Sequence, residues 1–187
     1  MGTILLILGV ALWAGAHLFK RLAPERRAGL GDKGMGVVAV LLLASIVVMT
    51  IGYRMADPIW LWVSPPWMTH LNNLLVFIGF YLFAVSGLKT GLHQRIRHPQ
   101  LSGFKAWALA HLLVVGTVQG VILFGGLLAW AVVSVIMINR ANRDWTRPPE
   151  AAMWKEGVAV VGALFAMLVV GQIHGWLGPW PFGGVNP

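Results

Sequence analysis

Apolar stretches of roughly helix length alternate with short polar breaks along this chain. The runs fall at about residues 3–19, 34–53, 69–88, 101–117, 119–139 and 157–175. At about 1.5 Å of rise per residue, twenty helical residues cover the ~30 Å hydrocarbon core of a bilayer. The pattern predicts an all-α fold, a polytopic integral membrane bundle of six transmembrane helices that forms one domain over 1–187. Runs four and five meet at the barely polar Gly116-Thr117-Val118-Gln119-Gly120. That junction reads as a tight hairpin with Gly116 and Gly120 as breakers. Five spans are expected instead if these two runs form one re-entrant unit.

Charge supplies a direction for each span. The connection after the first run holds Lys20, Arg21, Arg26, Arg27 and Lys33, and the next holds only Arg54. Lys89, Arg95, Arg97 and Lys105 follow the third run, the fourth connection has no charge, and Arg140, Arg143, Arg147 and Lys155 follow the fifth. Thirteen of the fourteen basic residues therefore lie in alternate connections. The positive-inside rule then places both termini on the outer side. The net charge of +8 is accounted for by topology and implies no nucleic-acid partner. Lys20 and Arg21 follow the first run rather than precede it, so that run reads as a retained helix and not as a cleaved signal. Trp60, Trp62 and Trp67 on the outer side, with Trp145 and Trp154 on the inner, fit interfacial belts. Pro65-Pro66 and Pro148-Pro149 mark loops.

Composition narrows the chemistry. With 58% hydrophobic and 11% charged residues and a mean hydropathy of +0.76, the chain is expected to have the lipid bilayer as its surroundings. The sequence has no cysteine, which excludes disulfides, thiolate haem ligation and cysteine-held iron–sulfur clusters. Histidine is then the strongest metal ligand present. There is no HExxH, no nucleophile elbow and no phosphate-binding glycine loop.

Six histidines need a role: His17, His70, His93, His98, His111 and His174. His93 reads as a solvated loop residue. His98 lies at the inner interface, and the thirteen residues between it and His111 amount to roughly 20 Å of helix, so the two cannot share one metal. Counted from the inner ends of their helices, His17 and His111 lie within about one turn in depth. His70 and His174 match in depth near the outer ends of the third and sixth helices. Two histidines at one level on different helices are what bis-imidazole coordination of a metal or haem iron requires. Plain hydrogen bonding across a helix pair is the alternative for each of them. The inner pair, His17 and His111, is preferred and His70 with His174 is the alternative pair. Lys20, Arg21, Arg97 and Lys105 stand near enough to the inner surface to pair with the carboxylates of a haem. Asn72 and Asn73 are expected to cap a helix or to hydrogen-bond between helices rather than to line a pocket. Ser102 beside Pro99 reads as a helix start.

Arg97-His98-Pro99, Gly103, Trp107 and Ala110-His111-Leu112-Leu113 resemble the signature of the NnrU family of bacterial membrane proteins. The resemblance extends to His17 and to the C-terminal His174, Trp176 and Leu177. Plant and cyanobacterial zeta-carotene isomerase is similar to this family. The resemblance implies a six-helix fold in the bacterial inner membrane, haem b on His17 and His111, and a link to denitrification, that is, to nitrite and nitric oxide metabolism. It further implies redox sensing or a haem-dependent cis-trans isomerase acting on a polyene substrate. Arg97, His98 and Lys105 then contact the charged edge of the cofactor. Many family members carry an Asn-Gly-Asp-like turn where this chain has Val115-Gly116-Thr117, so no acidic role is carried over to that turn. The alternative is a non-catalytic accessory or assembly protein for nitrite or nitric oxide reductase. A His-Pro-x-x-x-Gly segment is also similar to membrane methyltransferases that hold S-adenosylmethionine with a C-terminal acidic pair. This chain ends "GWLGPWPFGGVNP", without a carboxylate, and lacks most of that site.

Overall fold

The apolar runs become helices with few changes at their ends. A computed structural model describes residues 1–183. Its helices are α1 (Gly2–Leu22), α2 (Pro24–Gly29), α3 (Lys33–Met55), α4 (Met68–Leu88), α5 (Pro99–Val114), α6 (Val118–Ala141) and α7 (Trp154–Leu177). No strand occurs among the described residues, only an isolated antiparallel bridge between Trp60 and Thr117. α1, α3, α4, α6 and α7 are long and apolar enough to cross a membrane. The fourth run folds as a separate helix, α5, of 16 residues. At about 24 Å it is shorter than the ~30 Å core.

Between runs four and five, Gly116 lies in the break as expected and Gly120 does not. The chain breaks at Val115–Thr117, and Gly120 lies inside the first turn of α6. Thr117 sets this boundary. Its backbone is extended, at φ −123° and ψ 156°, and its hydroxyl accepts the Gly120 N–H at 3.2 Å. This is an N-cap, which satisfies one of the donors a helix start leaves open. The Gly116 carbonyl accepts from the N–H groups of Leu61 at 2.7 Å and Trp62 at 3.2 Å, and Val118 N–H donates to Ile59 at 2.9 Å. A Cβ at Gly116 would collide with the Trp62 carbonyl oxygen. Glycine is therefore needed there for close approach of two backbones, not for turning.

The chain divides into two compact units, one of residues 1–62 with 115–137 and one of 63–114 with the chain from 138 onward. In the first, α1 packs antiparallel on α3 at glycines. A Cβ on Gly9 would stand 2.8 Å from the Met49 nitrogen, and Gly2 and Gly52 lie against the Met55 and Leu6 backbones. Close backbone approach at small residues is how membrane helices gain dispersion energy, since lipid supplies no hydrophobic drive between helices. α6 carries a π-helical turn over Val121–Gly125, and the neighbouring Gly126 leaves room for Val10 of α1.

In the second unit α4 packs on both α5 and α7. α4 and α5 meet at Gly79 and Gly103, where a Cβ on Gly103 would stand 2.6 Å from the Gly79 carbonyl oxygen. α4 ends on Lys89, a non-glycine residue at φ +51°, an αL cap that costs a side chain some strain. The first turn of α7 holds this end down. The Glu156 carboxylate accepts from the Tyr81 hydroxyl at 2.7 Å and from Leu92 N–H at 2.8 Å, and Lys155 Nζ donates to the Leu88 carbonyl at 3.2 Å.

The fully enclosed apolar positions are small or medium, among them Ala108, Ala110, Ala131, Val85 and Leu6. Many large apolar side chains point out, with Phe165 68% exposed and Leu43 64%. A soluble domain would bury such groups. Their exposure on these helices fits a lipid surround.

Candidate functional site

The histidines separate by unit. His17, on α1, belongs to the first, where its ring lies 4.4 Å from Trp13 and 4.5 Å from Trp130 between centroids. The two indoles meet edge to face at 5.4 Å. His17 is exposed, and its placement comes from these flat aromatic walls rather than from a hydrogen bond.

His111 and His174, in the second unit, are set by hydrogen bonding. His111 Nδ1 stands 2.9 Å from the Trp107 carbonyl oxygen, one turn back on α5. His174 Nδ1 stands 2.8 Å from the Pro179 carbonyl oxygen. A carbonyl oxygen only accepts, so each Nδ1 carries the proton and each Nε2 holds the lone pair in the neutral ring. Metal-ligating histidines are fixed in this manner, with the other nitrogen donating to a backbone carbonyl.

The two histidines line one cavity of about 80 Å³ together with Asn72, Asn73, Phe80, Trp107 and Phe182. Each stands three residues before the end of its helix, α5 at Val114 and α7 at Leu177. The shortness of α5 brings this about: about 18 Å of its roughly 24 Å length lies before His111. His70, the partner assigned to His174 by depth, is exposed on the first turn of α4 and is not part of this lining. Beyond α7 the chain folds back, and the Phe182 ring rests on Gly171, where a Cβ would collide with it.

Asn72 and Asn73 are not caps, since α4 begins at Met68. Asn72 Nδ2 donates to Asn73 Oδ1 at 3.0 Å, and both residues form the cavity wall, which corrects the capping expectation. Asn72 is only 7% exposed, and its Oδ1 has no hydrogen-bond partner among the described residues. Leaving a buried acceptor unmet costs about 1–3 kcal/mol, so this oxygen is a place where a donor would be welcome. The sequence signal was a pair of amides inside an apolar run, and it did not distinguish a pocket from an interhelical bond.

Arg97 and His98 sit just before α5, at the end far from His111, and line an open groove of about 520 Å³ with Asn142, Arg143 and Trp145. The Arg97 guanidinium donates to the Asn142 carbonyl and, at 3.4 Å, to that of Arg143. His98 Nε2 is 2.8 Å from Asn139 Oδ1. Both side chains thus tie the start of α5 to the end of α6 and the loop beyond it. Lys105 is half-buried on α5 and lines neither cavity. His93 is half-buried in the Gly91–Gln94 turn, with Nδ1 enclosed and without a partner among the described residues, instead of solvated. The clamp of Glu156 on this turn draws it against α7. No group of three or more His, Asp or Glu side chains is assembled among the described residues.

The family is settled by a match over almost the whole chain: the family model described as NnrU protein covers residues 5–181. The chain belongs to the NnrU family. No curated protein and no solved structure matches it. His17, His111, His174 and both asparagines all lie within the NnrU match.

The donor set can be tested against haem b. A neutral imidazole whose Nδ1–H is anchored on a carbonyl, as at His111, suits an iron ligand. The cavity shared with His174 does not suit a macrocycle. Pockets for drug-sized ligands run to ~300–1,000 Å³, several times the volume found here. The donor at His111 fits haem, but the space between His111 and His174 does not.

Proposed function

We propose that this NnrU-family protein binds haem b within the membrane through His111 and serves nitrite and nitric oxide metabolism. The observation that supports the reading is the Nδ1–H bond of His111 to the Trp107 carbonyl, the kind of backbone anchor by which metal-ligating histidines are oriented. The family likeness assigns His17 as the second ligand. When bound, haem would supply one-electron redox chemistry or act on a polyene double bond as an isomerase does. The protein's own part is to hold the His111 ring in one tautomer through the Trp107 carbonyl.

The test is the visible spectrum of detergent-purified protein from haem-replete cells, oxidised and reduced. A Soret band lost in both His17→Ala and His111→Ala, with helix content retained, is the expected result. A colourless, folded protein would overturn the haem reading and favour an accessory role beside a nitrite or nitric oxide reductase. Assay of a cis-polyene separates catalyst from sensor. The alternation of basic connections further supports placement in the bacterial inner membrane with both termini periplasmic, which reporter fusions at each terminus would check.

A further inference from the structure

The small cavity beside His111 matches a ligand other than haem. We propose that it binds the hydroxyl-bearing edge of a membrane-soluble hydroquinone, and that it selects the reduced ring over the quinone.

Some polar groups at the wall have already spent their protons on neighbours. His174 donates its Nδ1–H to Pro179, so its Nε2 is an acceptor. Asn72 donates Nδ2–H to Asn73, and its Oδ1 is a buried acceptor without a partner among the described residues. The amide nitrogen of Asn73, half-buried at the same wall, is a donor. A hydroxyl answers both kinds of group, donating its proton to an acceptor and accepting from the Asn73 amide. A quinone carbonyl only accepts, so it would meet the Asn73 donor and leave the acceptors unmet. The remaining wall is apolar and aromatic, with Phe80, Trp107 and Phe182, and suits the face or edge of a ring. A cavity of about 80 Å³ is well above the ~10–15 Å³ that admits one water and takes the substituted edge of one ring. The helices that form the site carry large apolar side chains on their outer faces, which suits a ligand that is itself dissolved in lipid. The proposal does not depend on haem, because the proposed haem ligands are His111 and His17, whereas this site rests on Asn72, Asn73 and His174.

Isothermal titration of the full-length protein in detergent with duroquinol, duroquinone and the dimethyl ether of duroquinol tests it. Duroquinol is expected to bind at least about tenfold more tightly than the other two, the factor one hydrogen bond of about 1.4 kcal/mol confers. Asn72→Leu removes the unmet Oδ1 together with the Nδ2 bond to Asn73, and should weaken duroquinol binding about tenfold with helix content retained by circular dichroism. His174→Phe should also weaken it. Equal binding of quinol and quinone, binding of the capped ether as tight as the quinol, or no binding at all would overturn the proposal. So would an Asn72→Leu protein that binds duroquinol as the wild type does. If Asn72→Leu fails to fold, the three-ligand series on the wild type still decides. A colourless protein that binds duroquinol refutes the haem reading alone, and a haem-loaded protein indifferent to duroquinol refutes this one alone.

Discussion

The same substitution at two helical glycines should have opposite effects, and this tests the packing of the second unit. At Gly103 on α5, an added Cβ would stand 2.6 Å from the Gly79 carbonyl oxygen of α4 and 3.1 Å from Leu82 and Phe83 side-chain carbons. The nearest of these is about 0.8 Å inside the 3.4 Å at which ordinary contact begins, and a backbone oxygen cannot rotate away. α4 and α5 must then separate along their length, and a gap of 0.5–1 Å forfeits a quarter to a half of each dispersion contact. Overpacking of this kind costs about 1–3 kcal/mol, against a gain of about 0.5–1 kcal/mol for replacing glycine in a helix. Gly103→Ala should therefore destabilise by about 1–2 kcal/mol. At Gly162 on α7 nothing lies within 4 Å of the added Cβ, so Gly162→Ala should be neutral or stabilise by up to about 1 kcal/mol. Unfolding in mixed micelles by titration with a denaturing detergent, followed by circular dichroism, measures both. Equal effects of the two substitutions, or a stabilised Gly103→Ala, would refute the close approach of α4 and α5 at this point.

Other expectations follow from single contacts. Tyr81→Phe removes one of the two bonds to Glu156 and should cost about 1 kcal/mol. Glu156→Gln should cost less in the Tyr81→Phe background than alone, since the two share a bond; additive losses in the same unfolding assay would mean that they do not interact. Thr117→Ala loses the cap of α6 at a cost of about 1 kcal/mol, and Thr117→Ser should recover most of it. If serine and alanine behave alike, the hydroxyl is not the cap. Gly116→Ala should disrupt the pairing of 59–62 with 116–118, seen as faster protease cleavage in the 56–67 connection; an unchanged cleavage rate would argue against the close approach at Trp62.

Much of the candidate site was visible in outline. His111 and His174 stand out in any reading of so apolar a chain, because a polar ring in a span needs a partner. Their sharing of one cavity was not visible. Depth along a run pairs His111 with His17 and says nothing of where a helix stops. The observed α5 stops at Val114, because Gly116 is drawn to Leu61 and Trp62 and Thr117 caps the next helix. Each of those bonds joins residues more than fifty positions apart or depends on a backbone angle, and neither leaves a mark in local hydropathy. The role of Glu156 went unread for the same reason: it holds Tyr81 and Leu92, 75 and 64 positions away.

By itself the sequence determined the helical class and the apolar lengths that suit a bilayer, and its thirteen basic residues in alternate connections set the expectation for the sense of the helices. These depend on quantities that add along the chain, apolar length and charge, and they need no knowledge of what touches what. Tertiary structure decided which polar groups are satisfied. Asn72 has an orphaned oxygen because its amide nitrogen turns to Asn73, and His111 and His174 hold fixed tautomers because the Trp107 and Pro179 carbonyls stand within reach. Hydrogen bonding is a matter of a few tenths of an ångström and of direction, and only the folded chain sets those.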